Sequence, residues 1–216
     1  MEYSAVIVAA GSGTRMGLGY NKAYYRIDDR TILEHTMQIF LDDPECLQVI
    51  AVTDSQKYME EITGFWPGKI TLVRGGRSRM ESVSNGLNAV LCDTVMIHDG
   101  ARPYLSRECL DALKKAMETE QAACLTVPCK DTIKKVSDGY LTETVERSTI
   151  AAAQTPQVFR TDLIISCMNR ALQEGYTGTD DCSLVERYSY VPIRAVEGSY
   201  ENIKITTPED LKQKGL

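Results

Sequence analysis

Apolar residues fall along this 216-residue chain in two alternating textures. Short runs apolar at almost every position, Ala5 to Ala10, Gln48 to Thr53, Ile70 to Val73, Thr94 to His98 and Ala122 to Val127, predict strands buried on both faces. Between them lie stretches apolar at every third or fourth position, which predict helices: Ile32, Leu33, Thr36, Ile39 and Phe40; Met80, Val83, Leu87 and Val90; then Arg107 to Glu118. Thr31-Ile-Leu-Glu34 and Ser78-Arg-Met-Glu81 read as capping boxes opening the first two helices. Such alternation predicts one α/β domain over residues 1–216, with a mostly parallel sheet covered by helices on both faces. Ligands of such a sheet gather at the carboxyl ends of its strands. The unusual loops 11–22, 75–82 and 99–103 all follow strands, so they are expected to converge on one sheet edge.

Between about 128 and 150 the texture changes. Thr132 to Val136 and Leu141 to Val145 alternate polar and apolar around Ser137-Asp-Gly139, a hairpin signal, and the polar faces suggest an arm projecting from the body. A lone hairpin is marginal in water, so the arm either folds back or packs against a partner chain. The closing segment predicts a helix from Asp162 to Glu174 ended by Gly175, a helix start at Thr179-Asp-Asp181, and a strand from Val191 to Val196. Asn202-Ile-Lys-Ile-Thr-Thr-Pro208 then leads into an acidic helix start, and Lys204 reads as a cation in an otherwise apolar strand. No internal repeat or linker interrupts the pattern.

The net charge of −6 argues against a nucleic-acid surface, so basic groups that matter must be focused locally. Seven scattered cysteines without a C-x-x-C pair, with only His35 and His98 to assist them, read as small core residues of a reducing cytoplasm. There is no charged leader with a cleavage site, and no apolar stretch approaches the roughly 20 residues needed to cross a bilayer. The expectation is a soluble protein without a membrane partner.

The candidate chemistry begins where the first strand empties into Gly11-Ser-Gly13-Thr-Arg15-Met-Gly17. Glycines there free the backbone to present N–H groups, and Arg15 and Lys22 add a forked and a compact cation, a combination suited to polyphosphate. No Gly-Lys-Ser/Thr closes the loop, so it is not a Walker loop, and it imitates the dinucleotide fingerprint only imperfectly. The pattern resembles the loop of sugar-phosphate nucleotidyltransferases.

Six ordered motifs sharpen the resemblance: Ala9-Ala-Gly-Ser-Gly-Thr-Arg-Met-Gly17, Gly75-Gly-Arg-Ser-Arg79 with Ser82-Val83, His98-Asp-Gly-Ala-Arg-Pro103, Asp131-Thr-Ile-Lys134, Gln154-Thr-Pro-Gln157, and Thr179-Asp-Asp181 with Asn202-Ile-Lys-Ile-Thr206. Together they resemble the 2-C-methyl-D-erythritol 4-phosphate cytidylyltransferase family, which joins CTP and a polyol phosphate into a CDP-alcohol and pyrophosphate. The resemblance implies a Rossmann-like sheet of the nucleotide-diphospho-sugar transferase kind. It implies that Arg15, Lys22 and Lys204 stabilise the triphosphate and developing charge, and that Asp99 ligates Mg²⁺. It places the nucleotide on Ala9, Ala10, Gly11, Gly13, Gly75, Arg79 and Ser82, and the second substrate on Arg102, Thr132, Arg147, Thr155 and Thr179. It also implies a homodimer through the 128–150 arm.

Plainer readings exist for each: Arg15 and Lys22 as an exposed pair, Asp99 as a turn cap before Gly100, Thr132 and Arg147 as polar positions on a solvated strand face. The chain departs from the family's usual pattern at Asn21 (usually Pro), at Gly100 (usually Ala) and at Ile150-Ala151 (usually Leu-Trp). The nearest alternative is a ribitol- or ribulose-phosphate cytidylyltransferase, against which Ala9-Ala10-Gly11 and Ser82-Val83 with Gly86-Leu87 speak. An NAD-dependent oxidoreductase would need an acidic residue about 20 positions beyond its glycines, and Asp54 lies too far on. A catalytically silent nucleotide-binding protein is the third alternative. Retention of Arg15, Lys22, Asp99 and Lys204 together speaks against it.

Overall fold

The computed structural model of the chain describes residues 1–11, 21–54 and 68–212. In chain order these form β1 (Tyr3–Val8), a short ribbon of β2 (Arg26–Ile27) and β3 (Arg30–Thr31), α1 (Ile32–Leu41), β4 (Cys46–Thr53), β5 (Ile70–Arg74), α2 (Arg79–Leu87), β6 (Thr94–Asp99) and α3 (Arg107–Ala116). There follow β7 (Ala122–Pro128), β8 (Lys134–Ser137), β9 (Tyr140–Thr144), β10 (Ala151–Arg160), α4 (Thr161–Glu174), α5 (Cys182–Tyr188), β11 (Arg194–Glu197) and α6 (Pro208–Lys212).

Seven strands make one sheet in the order β11-β7-β10-β6-β1-β4-β5. Strands β6, β1, β4 and β5 run parallel, as does β11 with β7, while β10 runs antiparallel to both its neighbours. Successive side chains of a strand face opposite layers, and this explains why the strand sequences are apolar at every position. Ala5, Ile7, Ala51, Met96 and Val158 pack with Leu33, Met37 and Phe40 of α1 and Leu110 and Leu113 of α3. Val6, Ile50, Val95, Ile97 and Phe159 face the other layer, with Val83 and Leu87 of α2, Ile164 and Met168 of α4, and Leu184 and Val185 of α5. Each fully buried aliphatic or aromatic side chain of this kind contributes about 1.5–3 kcal/mol of transfer free energy. This two-sided core fixes the strand ends on which the site is built.

Local chemistry explains most element boundaries. Thr31 and Glu34 close the reciprocal capping box of α1. The second box forms only by half: Ser78 Oγ accepts the Glu81 N–H, but the Glu81 carboxylate turns to the Arg77 N–H at 2.7 Å. Gly175, with φ +66°, ends α4 in the left-handed region that favours glycine. Helix α3 ends two residues before the expected Glu118, and β11 is displaced from Val191–Val196 to Arg194–Glu197.

Two features differ in kind from expectation. Strand β10 spans the Gln154-Thr-Pro-Gln157 segment, for which the sequence pattern predicted no element. Those residues are buried because they find partners: Gln157 donates to Asp180 at 2.7 Å and accepts the Cys182 N–H at 2.9 Å, and Gln154 donates to the Ser199 carbonyl at 2.8 Å. The register shifts between Ala153 and Gln157, which accommodates the interruption. Second, Lys204 lies on irregular chain rather than in a strand, held by the Ile205 N–H bonding the Ala101 carbonyl at 2.8 Å. No helix among the described residues is long and apolar enough to cross a membrane.

The hairpin is present, as β8 and β9 pair antiparallel around Asp138 and Gly139, whose φ angles of +51° and +83° suit a tight primed turn. Every residue of both strands is exposed, including Val136, Tyr140 and Leu141. The arm therefore projects.

Candidate active site

The carboxyl ends of β1 and β6 sit side by side, with Val8 paired to Asp99. Around them is a cavity of about 200 Å³ lined by Ala10, Gly11, Asn21, Lys22, Arg79, Ser82, Asp99, Gly100 and Lys204 among others. The first, second and third unusual loops thus meet, together with the C-terminal Lys204 segment. A second, wider cleft of about 750 Å³ continues from Ala10 and Gly11 past Asp54, Gly75, Gly76 and Arg79.

Small residues at the first of these junctions are a steric requirement. A Cβ placed on Gly75 would stand 2.0 Å from Ala10 Cβ, so the Gly75 backbone lies directly against the Ala10 methyl and has no room for a side chain. Ser82 Oγ accepts the Gly76 N–H at 3.0 Å and donates to the Ser78 carbonyl at 2.8 Å, locking the Gly75-Gly76 turn onto the start of α2. Ala9 is fixed by its N–H to the Val52 carbonyl at 2.8 Å, and Gly100 by its N–H to the Val8 carbonyl at 2.9 Å. Gly13 and Arg15 lie outside the described residues.

Asp99 is the electrostatic centre. Its Oδ2 is 2.8 Å from Lys204 Nζ and 3.5 Å from Arg102 Nε, and its Oδ1 is 3.4 Å from Arg79 Nε. Burial opposes its charge, but the Lys204, Arg79 and Arg102 cations outweigh burial and hold its carboxyl well below the usual range. Counting Asp181 on the far side of Arg79, two carboxylates face three cations, and the cluster keeps a positive excess. An anionic ligand is the natural complement.

Arg79 is clamped from behind. Asp181, buried at the start of α5, takes its guanidinium fork in two bonds of 3.1 and 2.8 Å. Burial resists the Arg79 charge, yet Asp181 and Asp99 raise its pKa further above the ordinary value, while burial carries the Asp181 carboxyl upward despite the fork. Arg102 donates to the Asn202 carbonyl at 2.7 Å, and Asn202 Nδ2 donates to the Thr155 carbonyl at 2.9 Å.

His98 underlies Asp99. The ring is wholly buried, 5.4 Å from the Phe40 ring, and desolvation lowers its pKa to about 4, so it is neutral at pH 7. Its Nε2 lies 3.2 Å from the Arg102 carbonyl, which can only accept, so Nε2 carries the proton. Nδ1 must then accept from the Thr155 hydroxyl at 3.0 Å, and Thr155 Oγ1 in turn accepts the Asp99 N–H at 3.0 Å. The proton order of this chain is fixed, and it holds Asp99 from behind.

The remaining residues expected from sequence divide. Thr155 is buried, its hydroxyl engaged by Asp99 and His98 behind the cavity rather than on its wall. Thr179 borders a smaller recess of about 100 Å³ beside Arg79 and Asp181. Thr132 and Arg147 meet each other at 3.3 Å at the base of the arm, both exposed. Reading by residue type passed over His98, Asp181 and Asn202 as supports. Their signal was a polar residue adjacent to a charged motif in a segment otherwise destined for the core.

The sequence profile of IspD, 2-C-methyl-D-erythritol 4-phosphate cytidylyltransferase, matches residues 3–214. The chain belongs to this family. It is therefore a nucleotidyltransferase of the cytidylyltransferase type. It is similar to the 2-C-methyl-D-erythritol 4-phosphate cytidylyltransferase of Bacillus licheniformis, at 40% identity over 98% of this chain and 93% of the relative, and to that of Clostridioides difficile, at 41% over 97% and 90%. Among solved structures, the 4-diphosphocytidyl-2C-methyl-D-erythritol synthase of Anaerococcus prevotii shares the fold with a TM-score of 0.89 at 32% identity, covering 97% of this chain and 92% of that one. The Francisella tularensis IspD follows at 0.83 and 30%, with 98% of each chain covered.

Proposed function

We propose that the chain transfers a cytidylyl group from CTP to 2-C-methyl-D-erythritol 4-phosphate, releasing pyrophosphate, as a homodimer in the cytoplasm. The observation that carries this reading is the convergence of Lys22, Lys204, Arg79 and Arg102 around Asp99 at the strand ends, beside the small-residue backbone of Ala10, Gly11 and Gly75. A phosphate oxygen of the polyol phosphate attacks the α-phosphorus in line, and the bond from that phosphorus to the pyrophosphate oxygen breaks. That nucleophile is already anionic at neutral pH, so no general base is required. The protein's work is positioning and neutralisation, which preorganised cations perform without reorganising during the reaction. Lys22 and Arg15 meet the triphosphate, Lys204 the reacting phosphates, and the backbone around Ala9, Ala10, Gly11, Gly13 and Gly75, with Arg79 and Ser82, the nucleoside.

Among the described residues no group of three His, Cys, Asp or Glu side chains could hold a metal. A single hard carboxylate at a phosphate site fits Mg²⁺, which takes most of its ligands from water and phosphate oxygens. Asp99 would hold it, with Arg79, Arg102 and Lys204 giving up part of their hold on that carboxylate. Bound there, the ion would add charge neutralisation on the phosphate oxygens. Arg102, Thr132, Arg147 and Thr179 present guanidinium forks and hydroxyls suited to a phosphate and a polyol, with Thr155 behind them. The exposed apolar side chains of the arm, Val136, Tyr140 and Leu141, support docking on a second copy, which would bring Thr132 and Arg147 of one chain to the site of the other.

The test is pyrophosphate release with CTP, Mg²⁺ and either 2-C-methyl-D-erythritol 4-phosphate or ribitol 5-phosphate, with and without EDTA. Release with the first substrate, abolished by EDTA and restored by Mg²⁺, is the expected outcome. Preference for ribitol 5-phosphate overturns the substrate, and indifference to chelator removes the metal from Asp99.

A further inference from the structure

Asn21 is buried to 9% exposure, yet it carries two amide functions that must both be satisfied there. Its Oδ1 accepts the Ala23 N–H at 3.0 Å, capping the turn Lys22–Tyr24, and its Nδ2 donates to the Ala9 carbonyl. Ala9 is itself bonded to β4 through its N–H and the Val52 carbonyl. The turn that bears Lys22 is thus fastened to the sheet at Ala9, although eleven positions of chain separate residues 9 and 21. At its other end Tyr24 bonds Thr53 at the end of β4, and Ala23 between them is in the core. Asn21 and Lys22 both line the cavity that holds Asp99 and Lys204.

We propose that Asn21 is a positioning residue: its side chain staples the Ala9 peptide to the Lys22 turn, so that one amide sets the distance between the backbone that meets the nucleotide and the ammonium that meets its phosphates. The inference rests on the reading of the site as a CTP site and deepens it. Without the staple, the described contacts that hold the turn are the Tyr24–Thr53 bond and the packing of Ala23, both on the far side of Lys22 from Ala9, and Lys22 must be ordered further when the triphosphate binds. The cost falls on nucleotide capture and on turnover rather than on the core. A purely structural amide would instead lower stability and leave the Lys22 dependence alone.

Asn21→Ser is the informative variant. Its hydroxyl can still accept the Ala23 N–H, but it is too short to reach the Ala9 carbonyl. Loss of one well-placed hydrogen bond of about 1.4 kcal/mol predicts roughly a tenfold fall in kcat/KM for CTP, with KM for CTP raised. The same substitution made in a Lys22→Ala chain should cost little more, because the staple acts through Lys22. Calorimetric binding of CTP without the second substrate should weaken in parallel, and amide exchange at Ala10 and Gly11 should quicken. Asn21→Ala removes both bonds and should cost more. If that chain fails to fold, Asn21→Ser alone decides the matter. Unchanged kinetics and exchange in folded Asn21→Ser overturn the proposal, as does a tenfold penalty that persists undiminished beside Lys22→Ala. A wild-type chain that neither binds CTP nor releases pyrophosphate overturns the CTP reading itself, a result separate from an active wild type with an indifferent Asn21→Ser variant.

Discussion

The Asp99 cluster and the 128–150 arm are opposites in construction. Around Asp99 every group is held by another: Lys204, Arg79 and Arg102 on the carboxylate, Asp181 on Arg79, Thr155 and His98 beneath. In the arm, ladder bonds and a Lys135–Glu143 pair at 2.8 Å join two strands with all their side chains exposed. The cluster completes itself within one chain because a two-sided core carries its strand ends. An isolated two-stranded ribbon has no core beneath it. The Asp99 cluster is thus preorganised within one chain, whereas the arm's two strands leave all their side chains exposed.

The largest effect should come from breaking the charge on the nucleotide side. Lys22→Ala or Arg15→Ala is expected to lower turnover by about 10²–10³ with the fold intact, the loss typical of one preorganised charge. Arg147→Ala on the arm should also inactivate. A co-expressed heterodimer of Lys22→Ala and Arg147→Ala chains should then regain part of the activity, since one of its two sites has both residues. Purified heterodimer without recovered activity, or an active monomer in sedimentation, breaks the comparison.

A smaller effect should follow from cutting the support beneath Asp99. Thr155→Val removes the acceptor of the Asp99 N–H and the donor to His98, and should cost about 1–3 kcal/mol in denaturant unfolding because buried polar groups are left unpaired. Lys135→Ala on the arm, an exposed pair, should be indistinguishable from wild type in the same measurement. Equal effects at the two positions would erase the distinction between the regions.

The last test, read as a slope, concerns pH. His98 has a folded pKa of about 4, lowered by burial from 6.5, so between those values the unfolded chain binds the extra proton. Stability contributed by neutral His98 is complete above pH 6.5 and is lost as pH falls toward 4, at no more than about 1.4 kcal/mol per pH unit. His98→Asn should flatten that part of the stability curve measured by urea unfolding at several pH values. An unaltered slope would mean that another group titrates there.

How far all this was written in the sequence depends on the range of the interaction. The strands of the parallel half, α1 with its capping box, and the hairpin at Asp138-Gly139 were legible because each follows from periodicity or from residues within four positions of one another. The convergence of the three loops was legible too, since parallel strands must all end on the same edge. Strand β10 was not: no periodicity marks it, and Gln154, Thr155 and Gln157 are buried only because Ser199, His98, Asp180 and Cys182, far away in the chain, supply their bonds. Thr155 was likewise legible as a hydroxyl of the site but not as a group turned inward under Asp99. Lys204 was marked as a cation needing an anion, and only the fold brought it to 2.8 Å from Asp99. The sequence by itself determined which residue types and which strand ends would make the site. Tertiary structure decided who neutralises whom, because burial makes a charge or an amide depend on partners that no local pattern can name.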